Sequence, residues 1–69
     1  MSVMTDTIHI GARYRRPGEA KLVYRVTRFV EFNHMPHVSL VSENADRRTI
    51  TIGVSVLLDP RQWVSADLG

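Results

Sequence analysis

The 69-residue chain has no cysteine, one lysine, one tryptophan, four glycines and three prolines. Without cysteine there is no disulfide framework of the kind that staples very small secreted domains, no thiolate nucleophile and no cysteine-built zinc site. A reducing, cytoplasmic setting is the expectation by elimination. No apolar run approaches the ~20 residues that span a bilayer, and Met1 to Thr7 carries neither the basic nor the apolar region of a signal peptide. Internal repeats and low-complexity tracts are also missing, and so is any linker. So short a chain encloses one core at most. Ordering ~69 residues at about 1.5 kcal/mol each costs on the order of 100 kcal/mol, which leaves little surplus for a strained, buried catalytic site.

With 43% hydrophobic and 23% charged residues the composition is that of an ordinary folded domain. Eight arginines and Lys21 face seven carboxylates, a formal net charge of +2. A sequence pI near 9.7 overstates so small an excess. The distribution is more informative. Between Arg13 and Arg28 lie six basic residues and one acid, Glu19.

Hydrophobic alternation places the elements. Ile8, Ile10, Ala12 and Tyr14 alternate with His9, Gly11, Arg13 and Arg15, a period of two that predicts a strand. Arg16-Pro17-Gly18-Glu19 is turn chemistry. Leu22 to Phe32, rich in Val, Tyr, Phe and Thr, predicts a long strand. Its even positions are the more apolar but Arg28 interrupts them, so a bulge near Arg28 is expected to release that side chain to solvent and bend the strand. Asn33-His34-Met35-Pro36 supplies the next turn, His37 to Ser42 a shorter strand, Glu43 to Asp46 a polar loop, and Arg48 to Gly53 a fourth strand. Asp59-Pro60 reads as an N-cap and first-turn pair opening one helical turn. Trp63-Val64-Ser65 then returns as a short fifth strand. The fold expected is all-β: a small, closed or partly closed five-stranded barrel over residues 8–65, with one helical turn before the last strand. Residues 1–7 and 66–69 are expected to be tails.

This order resembles the SH3-like small barrels, a group that includes KOW and Tudor domains. The residues that carry the likeness are Gly11-Ala12-Arg13-Tyr14, the long strand around Val23-Tyr24-Arg25-Val26, and Leu57-Leu58-Asp59-Pro60-Arg61-Gln62-Trp63 before the last strand. The likeness is one of layout. The chain lacks the acidic loop and paired tyrosines with which signalling SH3 domains grip proline-rich peptides, and it lacks the KOW glycine motif. What the resemblance implies is a binding module rather than an enzyme.

The residues offer little for catalysis. No serine sits in a nucleophile elbow, no carboxylate pair has a readable spacing, and no glycine loop could cradle phosphates. No enzyme activity and no cofactor are expected. His34 and His37 lie three apart in turn sequence with no third ligand near them except Glu31 or Asn33, so no metal site is expected. An aromatic cage for a methylated cation would draw on rings the core needs, since Tyr14 and Tyr24 fall on the inward parity. Trp63 is expected to plug one end of the barrel.

The candidate binding face is the outward side of the first two strands. If Arg16–Lys21 turns them into a hairpin, Arg13 and Arg15 approach Val23 and Arg25, with Lys21, Arg28 and Phe29 completing a basic and aromatic surface. Guanidinium groups could hold phosphates while a base stacks on Phe29. The plainer alternative is that the arginines keep a solvent face soluble and Phe29 packs under a loop. Two functions therefore stand. The first is a non-enzymatic accessory module working through protein interaction or self-association, by a sheet edge or by the apolar positions Val41 and Phe29. The second is an RNA- or single-stranded-DNA-binding barrel using Arg13, Arg15, Lys21, Arg25, Arg28 and Phe29. Steep salt sensitivity would mark the second.

Overall fold

A computed structural model describes residues 8–19, 21–44 and 46–67; the expected N-terminal tail and the last two residues lie outside them. The chain forms five strands and one short helix: β1 (Arg13–Arg15), β2 (Val23–Phe32), β3 (Met35–Ser42), β4 (Thr49–Gly53), α1 (Val54–Leu57) and β5 (Val64–Ser65). The strands make one antiparallel sheet in the order β4-β3-β2-β1-β5, so β4 and β5 are its two ends. Of the described residues, 66 and 67 are tied down. Ala66 N–H donates to Arg13 O at 2.8 Å, and Asp67 Oδ2 accepts from Arg13 N–H at 3.1 Å.

Turn chemistry sets the registers. Glu19 N–H donates to Arg16 O at 3.0 Å across Pro17 and Gly18, and Gly18 takes φ +86°. Proline followed by a positive-φ glycine is a type II turn. It pairs Arg13 with Arg25, Tyr14 with Tyr24 and Arg15 with Val23. Between β2 and β3 the loop is only Asn33 and His34, both at positive φ (51° and 64°), the backbone of a two-residue hairpin turn. Met35 and Pro36 therefore belong to β3, which begins two residues earlier than the sequence suggests. Pro36 faces Glu31, one step from the turn-closing pair. There the strand nitrogen points away from its hairpin partner, and β4 has already ended opposite His37, so no ladder bond is lost.

The bulge lies at Thr27. Val26 pairs with Leu40 and Arg28 with Ser39, leaving Thr27 as the extra residue. Arg28 thereby moves from the inward parity to an exposed position. Thr27 Oγ1 donates to Ser39 O at 3.2 Å, which occupies a carbonyl beside the irregularity. Ser39, itself buried, bonds Thr51 through their hydroxyl oxygens at 2.9 Å.

The core gathers Ile8, Tyr14, Tyr24, Val26, Val38, Leu40, Val54, Leu57 and Trp63. Trp63 fills it at the β5 end, with the Tyr24 ring edge-on at 5.4 Å and the Arg16 guanidinium 4.6 Å above the indole centroid.

Two further expectations need correcting. The first strand is short, because Gly11 at φ +92° breaks the alternation. Ile8 is buried while Ile10 is 59% exposed. The helix precedes Asp59 rather than following it. Gly53, extended at φ −65° and ψ 146°, opens α1. Asp59 instead closes a tight turn: its carbonyl accepts from Gln62 and Trp63 N–H at 2.9 and 3.0 Å, and its Oδ1 from Arg61 N–H at 3.0 Å. The capping chemistry at Asp59 is real, but it serves a turn.

Candidate functional site

The outer side of the sheet brings part of the expected basic face together. Cross-strand partners share a face, so Arg13 and Arg25 stand side by side, continued by Val41 and Thr49. Arg28, displaced by the bulge, heads the next outer row with Ser39 and Thr51. Arg15 lies on the same side opposite Val23. Lys21 is exposed in the connection before β2 and belongs to none of the paired strands. Phe29 is not beside the arginines. The bulge that frees Arg28 also reverses the parity of the residues after it, and Phe29 pairs with Val38 and, through it, Ile52 on the opposite face.

Glu43 was not among the expected site residues, yet it organises this surface. It comes directly after Ser42, the partner of Tyr24, and its N–H donates to Val23 O at 2.8 Å. That backbone bond sets its carboxylate between two guanidinium groups. Arg13 Nε lies 3.2 Å from Oε2 and Nη2 3.2 Å from Oε1. Arg25 donates through Nε and Nη2, both 3.0 Å from Oε2. Beside them runs an open groove of about 440 Å³ lined by Arg25, Thr27, Val41, Ser42, Glu43 and Arg47. The signal that could have found Glu43 is the β2–β3 register: the short Asn33-His34 turn and the bulge at Thr27 together bring residue 43 beside Val23, whose other neighbour is Arg15 of β1.

Partial burial pushes the Glu43 carboxyl upward, but the hydrogen bonds and charges of Arg13 and Arg25 outweigh it and hold the group below its ordinary value of 4.5. The pairing therefore contributes fully above that value and is lost as pH falls through the lower folded one. Since the groups are substantially solvated, Glu43→Gln is expected to cost only about 0.2–1 kcal/mol at neutral pH. In thermal melts the gap between the variant and the native chain should close on acidification; a gap that persists in acid would show that Glu43 acts otherwise. On the neighbouring strand, burial and then the charge of Asp67 raise the Tyr14 hydroxyl.

The second feature is the far end of the β2–β3 hairpin. β4 stops opposite His37 and β1 opposite Val23 to Arg25. The pairs Glu31–Pro36 and Phe32–Met35 thus extend beyond both neighbouring strands. Phe32 and Met35 are 50 and 60% exposed there, and Phe29, paired with Val38 where β4 still runs alongside, is 43% exposed. The Phe32 ring meets the His37 imidazole edge-on at 5.1 Å. An open groove of about 440 Å³ runs along Phe29, Val30, Glu31, His34, Pro36 and His37. His34 Nδ1 is 3.8 Å from Glu31 Oε2, and among the described residues no three potential ligands gather that could hold a metal ion. Among the same residues no helix is long and apolar enough to cross a membrane. In comparisons with protein families, with curated proteins and with solved structures, nothing matches this chain.

Proposed function

We propose that this chain is a small non-enzymatic accessory module of the cytoplasm, with the strand layout of an SH3-like barrel, that works by protein interaction through the projecting end of its β2–β3 hairpin. One observation carries the reading. Phe32 and Met35, 50 and 60% exposed, form the last pair of the hairpin, where no strand flanks it, and Phe29, 43% exposed, lies just before it on the opposite face, where β4 still runs alongside. An apolar, aromatic hairpin end standing clear of its sheet leaves surface that a protein contact would bury. Rings of this kind are the side chains that dominate binding energy when a partner encloses them. The contact can be to a second copy of this chain or to another protein.

Nucleic-acid binding is the rival. Against it, Glu43 already neutralises part of the Arg13–Arg25 pair, and Phe29 lies on the other face from those arginines. Photo-crosslinking separates the two. A benzophenone side chain at position 32, in the native host, is expected to give a discrete protein adduct, or a dimer of the chain itself. Met35→Ser should weaken the adduct by roughly tenfold or more, as loss of an interface anchor does. Nucleic-acid adducts at position 32, or none to protein, would overturn the proposal.

A further inference from the structure

We propose that the outer face of the sheet is a second docking site, for an acidic segment of the partner protein, and that Glu43 is its built-in competitor. The inference rests on the protein-interaction reading above and adds the chemistry of the partner. Three features point to it. First, Arg13 and Arg25 converge from adjacent strands on one carboxylate, with four nitrogen–oxygen approaches between 3.0 and 3.2 Å. The guanidinium forks are thus already arranged as a carboxylate receptor, the geometry for which arginine is better suited than lysine. The carboxylate they hold belongs to a side chain that is itself about one quarter exposed, at the start of a loop rather than inside a strand. It can swing aside without disturbing the ladder, because its own anchor to Val23 is a backbone bond.

Second, the groove beside this pair is unbalanced in charge. Arg25 and Arg47 border it against Glu43 alone, and Arg13 adds a further cation to the same carboxylate. Arg47 makes no ion pair among the described residues. Third, Arg47 sits at φ +52°, with its N–H on Asn44 O at 3.2 Å. A long side chain in that region carries a backbone cost that glycine or asparagine would avoid. The loop holds a guanidinium at the groove's rim despite that cost.

A carboxylate-rich peptide fits this site better than a phosphodiester chain does. The receptor already holds a carboxylate. Among the described residues no exposed aromatic ring borders the groove on which a base could stack. Its floor is Thr27, Val41 and Ser42. An incoming Asp or Glu would replace Glu43 between Arg13 and Arg25, and a second acid would meet Arg47.

The test is fluorescence anisotropy with the native chain and a labelled oligoglutamate peptide, run beside a single-stranded oligoribonucleotide of equal charge, with folding of each variant checked by circular dichroism. Glu43→Gln keeps the side-chain shape and removes the competing charge, so it should tighten peptide binding by about threefold to tenfold. Arg25→Ala should weaken it by roughly tenfold, and Arg25→Lys, which keeps the charge but loses the fork, should restore only part. Arg47→Asn tolerates the same backbone and should weaken binding about threefold. Failure of the native chain to bind the peptide, or unchanged or weaker binding by folded Glu43→Gln, would overturn this site while leaving the hairpin contact to its own crosslinking result. Preference for the oligoribonucleotide, lost in Arg25→Ala, would overturn both this inference and the protein-interaction reading.

Discussion

Trp63→Ala is expected to leave the chain unfolded at ordinary temperature. Trp63 is only 2% exposed and fills the core where β5 meets β1, with Tyr24 against it and the Arg16 guanidinium covering its ring. Removing a buried indole costs about 3–5 kcal/mol, the lost transfer energy plus the cavity left behind. At ~0.05–0.15 kcal/mol per residue, a domain of this length has only about 3–10 kcal/mol to lose. Loss of far-UV β-sheet circular dichroism is the readout, since no other tryptophan reports on folding. Trp63→Phe should be much milder. It leaves a smaller void and removes the indole N–H, a buried donor with no hydrogen-bond partner among the described residues. A folded, cooperative Trp63→Ala would mean that the indole is not a structural plug, and its burial would then need another explanation.

Leu40→Ala is the second large effect, at about 2–5 kcal/mol. Leu40 is fully buried in β3, an interior strand of the sheet, between Val26 on one side and Ile50 on the other. β2 and β4 lie on its two flanks, so neither can collapse into the gap without giving up a register. The expected result is a urea midpoint lowered by most of the native value, with an unchanged slope. Leu40→Met, which nearly conserves volume, should cost less than ~1.5 kcal/mol. If the alanine variant unfolds at the native midpoint, Leu40 does not hold the sheet together.

Much of the sheet is legible in the residues, for local reasons. Pro17 and Gly18 announce a type II turn, and that turn fixes the pairing of Arg13 with Arg25. The β-branched and aromatic run from Val23 to Phe32 declares a long strand, and Arg28 within its apolar set signals the bulge. The helix is illegible for an equally local reason. Val54-Ser55-Val56-Leu57 has two β-branched residues and no side-chain cap, whereas Asp59-Pro60 imitates a helix start. Tertiary packing of Val54 and Leu57 into the core decides the matter against propensity. At the candidate site, the arginine row is set by the first turn. Glu43 and Arg47 are not, because their place depends on the β2–β3 register some ten residues away, and that register hangs on whether the turn holds two residues or four. Phe29 shows the same dependence: a single extra residue at Thr27 decides which side of the sheet it occupies.

That extra residue also sets an angle. On one side of Thr27 the hairpin carries the Arg13–Arg25–Glu43 receptor, and on the other it carries the apolar end at Phe32 and Met35. A bulge adds local twist and bends its strand. The direction in which the apolar end leaves the arginine row is therefore fixed by the count of residues in β2 rather than by the identity of any one of them. A partner that engages both regions measures that angle. Removing Thr27 would keep every pair of the β2–β3 ladder and, apart from Thr27 itself on the groove floor, every side chain of the two regions, yet present them in a different relative orientation. In this fold specificity can thus reside in a strand's length, where no single side chain would reveal it.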